Sequence, residues 1–263
     1  MRVLLVFGLV LLGAGSGSGQ TIVNPDGNIL IRTGASFESV SMLDTGTKRA
    51  YAGQPFSAKF TTTEVFNPRD GKTDTHVRVE RDFRDAEGRE RFEQGIDRGG
   101  AFQVGTVRLA DPVAEYSAML LIRDKVARVT HYTPVPYNAA NAKRTAELKA
   151  EGDAKRAARA DAPLLEKLPE KMIAGVRAEG LRETYTIPAG REGNDQEVRI
   201  VVEIWTSPEL KIVVGSSLDD PRSRKQTMVM TELVRSDPDP KLFKVPADYE
   251  AVDTASGAIT MPH

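Results

Sequence analysis

The part of the chain that most constrains its fold is residues 197–249, where two neighbouring segments alternate apolar and polar side chains. A period of two places every second side chain on the same face of an extended strand. A turn at Ser207 and Pro208 separates the segments, and their apolar members are Val198, Ile200, Val202, Ile204, Leu210, Ile212 and Val214. The pattern predicts adjacent antiparallel strands with one apolar face that other atoms must cover.

A preceding segment places Leu181, Tyr185 and Ile187 on one side and would extend this face across a third strand. We therefore predict a ligand-binding face that consists of Leu181, Tyr185, Ile200, Val202, Ile204, Leu210, Ile212 and Val214. An apolar ligand would need a cavity on the order of a few hundred Å³. The alternative is that the leucine-containing segment 164–168 closes the face.

Short segments with turn residues between them continue from Pro55 onward, which predicts an antiparallel meander in a mainly β domain. In the segment 73–83 the apolar residues share one side. The other side carries His76, Arg78, Glu80 and Asp82. We interpret this charged side as a solvated outer face.

Residues 137–165 interrupt the strands with Ala, Lys, Arg and Glu, which favour helix. Leu148 is the only large aliphatic side chain between Asn138 and Leu164, so such a helix would dock weakly. The composition predicts one central Ala-rich helical segment. It leaves open whether residues 139–162 are an ordered helix, a lid over the sheet or a partly ordered insertion.

Residues 1–19 have the parts of a secretory signal peptide: a basic residue at Arg2, an apolar run to Leu12 and small residues before Gln20. The apolar run is shorter than the roughly 20 residues that span a bilayer. We expect cleavage near Gly19 and Gln20 and a periplasmic or secreted protein that does not span the membrane.

The other expected boundaries follow from composition. Residues 20–54 are rich in Gly, Asp, Asn, Ser and Thr, with one short apolar run near Leu30, and form an N-terminal segment that is partly linker. Residues 55–249 form a single β domain, and residues 250–263 form a flexible tail.

Composition argues against several classes of function. The chain has 36 Lys and Arg against 37 Asp and Glu, so no global basic field favours nucleic acid. It has no cysteine, and its three histidines, His76, His131 and His263, are far apart and lack metal-ligand spacing. No serine of the expected mature chain lies in a nucleophile elbow. We expect neither a cofactor nor a bound metal, and no enzymatic activity.

Near the carboxyl terminus, Asp239 precedes Pro240 in a sequence typical of a capped helical turn. The turn would point Phe243 into the core and end at Pro246, after which Tyr249 would pack against the sheet. The pattern predicts a segment that staples the end of the chain to the domain.

Several motifs carry a resemblance to a known family. They are Phe83-Arg84-Asp85-Ala86-Glu87-Gly88-Arg89, Trp205 with Ser207-Pro208-Glu209-Leu210, Asp220-Pro221-Arg222, and Pro240 with Leu242-Phe243, Val245-Pro246 and Tyr249. The chain resembles a group of secreted bacterial proteins and, more distantly, the LolA-like outer-membrane lipoprotein carriers. The resemblance implies a half-barrel, that is, a strongly curved antiparallel sheet whose concave apolar face is covered by helices and holds acyl chains in the carriers.

Two functions remain open from the sequence. The first is non-covalent binding of a lipid, such as a lipoprotein acyl chain, or another apolar molecule on the concave face. The second is an envelope protein-interaction or sensor module with a filled core, whose protein partner would contact the polar face around residues 78–91. A cavity on the apolar face would favour the first function, and dense packing would favour the second.

Overall fold

The computed structural model describes residues 20–23, 29–33, 36–40, 52–66, 73–99, 101–131, 147, 150–151 and 162–254. Apart from the helical residues 147 and 150–151, the regular elements in these ranges are strands and one 3₁₀ helix, Pro240–Phe243. The strands are β1 Gln20–Val23, β2 Ile29–Thr33, β3 Ser36–Val40, β4 Phe56–Phe66, β5 Asp74–Arg84, β6 Glu90–Arg98, β7 Ala101–Asp111, β8 Tyr116–Leu121, β9 Val126–His131, β10 Leu164–Ile173, β11 Val176–Ile187, β12 Val198–Ser207, β13 Ile212–Asp220, β14 Arg224–Val234 and β15 Glu250–Asp253.

Twelve of these strands form one curved, open sheet in the order β10-β11-β12-β13-β14-β4-β5-β6-β7-β8-β9-β15. Its neighbours are antiparallel, except that β15 runs parallel to β9. The strands β1, β2 and β3 form a separate small sheet, in which β2 is the central strand. The predicted mainly β architecture with a curved antiparallel sheet is confirmed.

The large sheet is made of two meanders joined at their first and last strands. The strands β4 to β9 follow one another in the chain, as do β10 to β14. The two series meet where β14 pairs with β4, with Met230 opposite Phe60 and Arg224 opposite Phe66. One continuous sheet therefore depends on pairing between distant parts of the sequence.

The strand register defines two faces of the large sheet, because side chains directly opposite each other point to the same side. Face A carries Phe60 together with its cross-strand partner Glu80. It also carries Val202, which is opposite Glu183 and Leu218. Face B is the opposite side. Apolar and charged side chains thus share face A in different parts of the sheet.

A β-bulge between Trp205 and Thr206 divides the apolar residues of β12 and β13. The extra residue shifts the alternation along the strand pair. Ile200, Val202 and Ile204 pack in one buried cluster with Tyr185, whereas Leu210 and Val214 lie in a second. The further members of the second cluster are Phe56, Ala58, Phe60, Val176, Ala178, Trp205 and Met230. The apolar face predicted as continuous is therefore two separate packing units.

The hairpin between β10 and β11 replaces the end of the predicted helical segment. Ile173 pairs with Val176, and Ala174 and Gly175 between them have positive φ values of 47° and 83°. Two successive residues in this conformation match a tight hairpin turn with the right-handed strand twist. The expected helix over 137–165 was wrong at its end, because Leu164 and Leu165 already lie in β10.

Most of that predicted helical segment falls outside the described residues. Glu147, Ala150 and Glu151 are described and have helical backbone geometry. The expected signal peptide, residues 1–19, also lies outside the described residues. No described helix is long and apolar enough to cross a membrane.

The chain crosses face B after β14, in a segment that we call the strap, residues 235–253. In its 3₁₀ helix the Asp239 carboxylate accepts a hydrogen bond from the Lys241 N–H, Pro240 is in the first turn, and Phe243 is 1% exposed. The predicted capped turn is confirmed. Residues 250–253, expected to be flexible, instead form β15, and Thr254 continues the pairing through its N–H bond to the Val129 carbonyl.

Candidate functional site

The side chains predicted to bind a ligand are mostly buried within the protein. Exposure is 0% for Ile200, Leu210 and Val214, and 3–4% for Tyr185, Val202 and Ile204. Ile212 is partly buried against the cluster of Leu210 and Val214. Leu181 is half-buried and opposite Ile204. The structure places most of these residues in packed core, divided between the two clusters.

A buried carboxylate lies among them that the apolar pattern did not reveal. Glu183 is opposite Val202 on face A and is 1% exposed. Its Oε2 accepts a hydrogen bond from the Tyr185 hydroxyl at 2.6 Å. A buried polar group requires such a partner, because leaving it without one costs on the order of 1–3 kcal/mol. The signal was present in the sequence, since Glu183 falls on the same side of the alternation as Leu181 and Tyr185.

Two surface depressions can be described, and none of the predicted ligand-binding residues lines either of them. One, of about 410 Å³, lies beside the β10–β11 turn and is bordered by Val176, Leu233 and the ion pair of Glu209 with Arg235. The other, of about 470 Å³, lies on face B around Val201. Its floor is polar, with Arg182 bridging Glu203 and Glu166.

The segment 164–168, considered as an alternative cover for the apolar face, is the start of the edge strand β10. Leu164 and Leu165 are 70% and 49% exposed. Leu168 alone packs against a core cluster, the one that contains Trp205. Two of the three leucines that would have closed the face therefore point into solvent.

The charged side of β5 is exposed at His76, as the sequence predicted, but it is covered toward the end of the strand, which corrects the rest of that interpretation. Glu80 and Asp82 lie on face A, opposite Phe60 and Ala58. Burial raises the pKa of Glu80 and raises that of Asp82 to about 6, although Arg84 opposes the second shift. On the other face Val77 is 50% exposed and Val79 is 3% exposed, so each face of β5 is covered over part of its length. The alternation on β5 correctly predicted which side chains share a face, but it does not indicate which face other parts of the chain cover.

Much of the charge between residues 78 and 91 holds the fold together. Arg84 is fully buried and donates hydrogen bonds to the carbonyls of Gln54, at 3.0 Å, and Leu210, at 2.8 Å. Its guanidinium lies 4.8 Å from the centre of the Phe56 ring. Arg91 donates to the Leu242 carbonyl of the strap at 3.0 Å. Arg84 and Arg91 therefore stabilise contacts within the protein and do not form a free recognition surface.

The strap covers the apolar part of face B. Val245 and Tyr249 pack against a cluster formed by strands β7 to β9, whose members are Val107, Leu109, Ala118, Leu120, Ala127 and Val129. The Tyr116 hydroxyl donates to the Phe243 carbonyl at 3.3 Å. The Ala86 N–H donates to the Asp237 carboxylate at 2.8 Å. Beyond Tyr249 the chain reaches the sheet edge as β15.

The described histidines lie apart from each other and are exposed. His76 contacts Asp74 at 2.8 Å, and His131 lies 3.6 Å from Asp253. Within the ranges that the structure describes, no three His, Asp or Glu side chains come together as metal ligands.

No protein-family model matches the chain, and no curated protein is significantly similar to it in sequence. Similar solved structures include a chain of the Pseudomonas aeruginosa MucA/MucB complex, with a TM-score of 0.39 and 16% identity over 80% of this chain and 62% of that chain. The present chain therefore spans less than two thirds of that protein.

Two further similar structures match more of the other chain. A LolA superfamily protein from Nitrosomonas europaea has a TM-score of 0.28 and 8% identity over 77% of this chain and 95% of that chain. Lipoprotein LppX from Mycobacterium tuberculosis has a TM-score of 0.27 and 10% identity over 70% of this chain and 88% of that chain. The LolA superfamily, which the sequence resembles, is thus among the similar structures, at TM-scores too low to support a conclusion about function.

Proposed function

We propose that this chain is an exported protein-interaction module of the bacterial envelope whose interior is filled by its own side chains. One observation carries the proposal: the side chains expected to hold a ligand, among them Ile200, Val202 and Val214, are at most 3% exposed. A carrier of acyl chains needs accessible apolar surface in a cavity. Side chains packed in this way provide a rigid scaffold.

The polar groups on face A support the same proposal. Glu183 lies between the apolar residues of β11 and β12, and Glu80 and Asp82 extend the polar part across β5. An acyl chain that displaced the packing around Glu183 would border a buried carboxylate that is hydrogen-bonded to the Tyr185 hydroxyl. Apolar contact of that kind is unfavourable for a charged group.

The envelope location rests on the sequence of residues 1–19, with its basic start, apolar run and small residues. In this proposal the mature protein begins near Gln20 and acts by binding and not by catalysis. Lipid binding on face A is the contrasting function, and it would require the packed clusters to open.

Native mass spectrometry of the protein purified from its own envelope tests the proposal. We expect the mass of the processed chain without a lipid adduct, and no binding of an apolar fluorescent probe to the folded protein. Chemical crosslinking in intact cells should place the chain in a discrete complex with another envelope protein.

Two neighbouring substitutions provide a matched comparison. Val202→Glu introduces a carboxylate on face A, whereas Val201→Glu introduces one on face B beside the polar depression. A lipid adduct that is abolished by Val202→Glu and kept by Val201→Glu would contradict the proposal and establish the carrier function instead.

A further inference from the structure

The edge of the large sheet at β9 is filled by a short strand from the same chain. β15 has four residues, and all of them are exposed. It pairs in parallel with β9, with Glu250 opposite Val126 and Asp253 opposite Val129. A strand this short contributes little buried surface, so its pairing depends mainly on backbone hydrogen bonds and on charge.

The backbone contacts do not depend on the side chains of β15. The Glu250 N–H donates to the Lys125 carbonyl at 2.8 Å, and the Thr254 N–H donates to the Val129 carbonyl at 2.7 Å. The two-residue repeat of a parallel ladder directs the Val252 N–H toward β9 and the Ala251 N–H away from it. Any extended segment could make the same ladder, as in recognition by strand addition.

The two strands of this edge carry opposite net charge. The β9 side carries Arg123, Lys125 and Arg128 against one acidic residue, Asp124, and the added segment carries Asp248, Glu250 and Asp253. Lys125 Nζ and Asp248 Oδ2 are 2.8 Å apart, and His131 lies 3.6 Å from Asp253. Both pairs are more than half exposed, and such pairs hold a segment only weakly.

The firm attachment of the strap lies before β15. Phe243 is buried, and Arg91 and Tyr116 bind the backbone of the 3₁₀ helix. Residues 250–254 can therefore leave the edge while the rest of the strap stays in place.

We propose that the β9 edge is the docking site for an acidic, extended segment of another envelope protein, which adds parallel to β9 in place of β15. The inference rests on the proposed function, because it names the site and the class of partner for that function. In the free protein β15 occupies the edge and protects it from indiscriminate pairing.

The test uses the full chain and a fluorescent peptide with the sequence of residues 246–255. Val252→Pro removes the N–H that faces β9, and Ala251→Pro is the matched control because its N–H faces away. We expect fluorescence anisotropy to show at least tenfold tighter peptide binding by Val252→Pro than by the wild type or by Ala251→Pro. Adding Arg128→Glu to Val252→Pro should reverse most of this gain in peptide affinity. Replacing Asp and Glu of the peptide by Asn and Gln should have the same effect.

Hydrogen exchange of the same variants shows whether Val252→Pro releases β15 alone or also destabilises the rest of the sheet. Amides of β5 to β7 should stay protected in Val252→Pro, while those of Glu250 and Thr254 should lose protection. If the amides of Glu250 and Thr254 stay protected in Val252→Pro, β15 has not left the edge and the inference is wrong. The inference is also wrong if the edge opens in the folded variant but the peptide does not bind. It is equally wrong if a peptide with Asn and Gln in place of Asp and Glu binds as tightly as the acidic peptide.

The outcomes separate this inference from the proposed function. A lipid adduct on a protein whose opened edge binds the acidic peptide would contradict the proposed function alone. A crosslinked partner in the envelope, together with failure to bind the peptide, would contradict only the β9 site.

Discussion

Asp82 lies opposite Ala58 of β4 near the end of β5, and its environment favours the protonated form. Burial is the main reason that its pKa rises from an ordinary 3.8 to about 6, while Arg84 and Arg108 act in the opposite direction. A carboxyl whose pKa is raised on folding stabilises the native state below its ordinary pKa, and this contribution is lost as pH rises through the folded value. Burial of Glu80 raises its pKa in the same direction.

Asp82→Asn should therefore flatten the pH dependence of stability. In the wild type, the contribution of this group to the free energy of unfolding should decrease between about pH 4 and pH 7. The amide has no proton to lose, so the decrease should be smaller in the variant. Urea unfolding across this range measures the effect, with Asp195→Asn in the exposed β11–β12 loop as the control. Equal slopes for wild type and Asp82→Asn would contradict the assignment.

Phe243→Ala should destabilise the protein by roughly 3–5 kcal/mol, because the ring is 1% exposed and its loss leaves a cavity. Lys241→Ala, an exposed change in the same 3₁₀ helix, should have little effect. Denaturant midpoints of the two variants provide the measurement. An unchanged midpoint for Phe243→Ala would show that the ring does not anchor the strap.

Gly180 is required by a close approach between β11 and β12. A Cβ at this position would lie 2.6 Å from the Trp205 ring and 2.8 Å from the Leu168 side chain. Gly180→Ala should therefore cost roughly 1–3 kcal/mol through overpacking. Gly105→Ala is the matched control in a strand, since its nearest neighbour would be the Gln94 carbonyl oxygen at 3.6 Å. Chemical unfolding should show a lower midpoint for the first variant only.

At the scale of single elements, the sequence predicted best where one face of a strand is apolar. The alternation on β12 identified Ile200, Val202 and Ile204 as neighbours in a buried cluster. It could not locate the bulge after Trp205, because a bulge depends on pairing with the partner strand and changes no local pattern. The residues beyond the bulge were consequently assigned to the wrong packing unit.

The edge strands were the hardest elements to predict. β10 contains Pro169 and alternating charges, and it is mostly exposed, so its composition resembles that of the preceding polar segment. A bulge between Leu168 and Lys171 accommodates the proline. Proline and lysine are common on edge strands because they discourage pairing with other chains. β15 was missed for a related reason, since its four residues have no buried face.

At the scale of the whole molecule, the candidate site was predicted as an apolar face covered by a ligand or by the segment 164–168, and the structure has it as packed interior. Local patterns indicate which side chains share a face, but what covers that face depends on contacts between distant parts of the chain. The charged residues of β5 show the same limit, because Glu80 and Asp82 were placed together correctly and assigned to solvent incorrectly.

The pairing of β14 with β4 has a consequence for how the protein is made. Lys59 on β4 and Glu232 on β14 form an ion pair although they are 173 positions apart in the sequence. During synthesis the strands β4 to β9 emerge before β10 to β14, with β4 as an open edge until nearly the whole chain is available. Folding that waits for such distant contacts is slow, and open edges favour aggregation in the meantime. A chain with this topology should therefore depend on chaperones until its last strands have been synthesised.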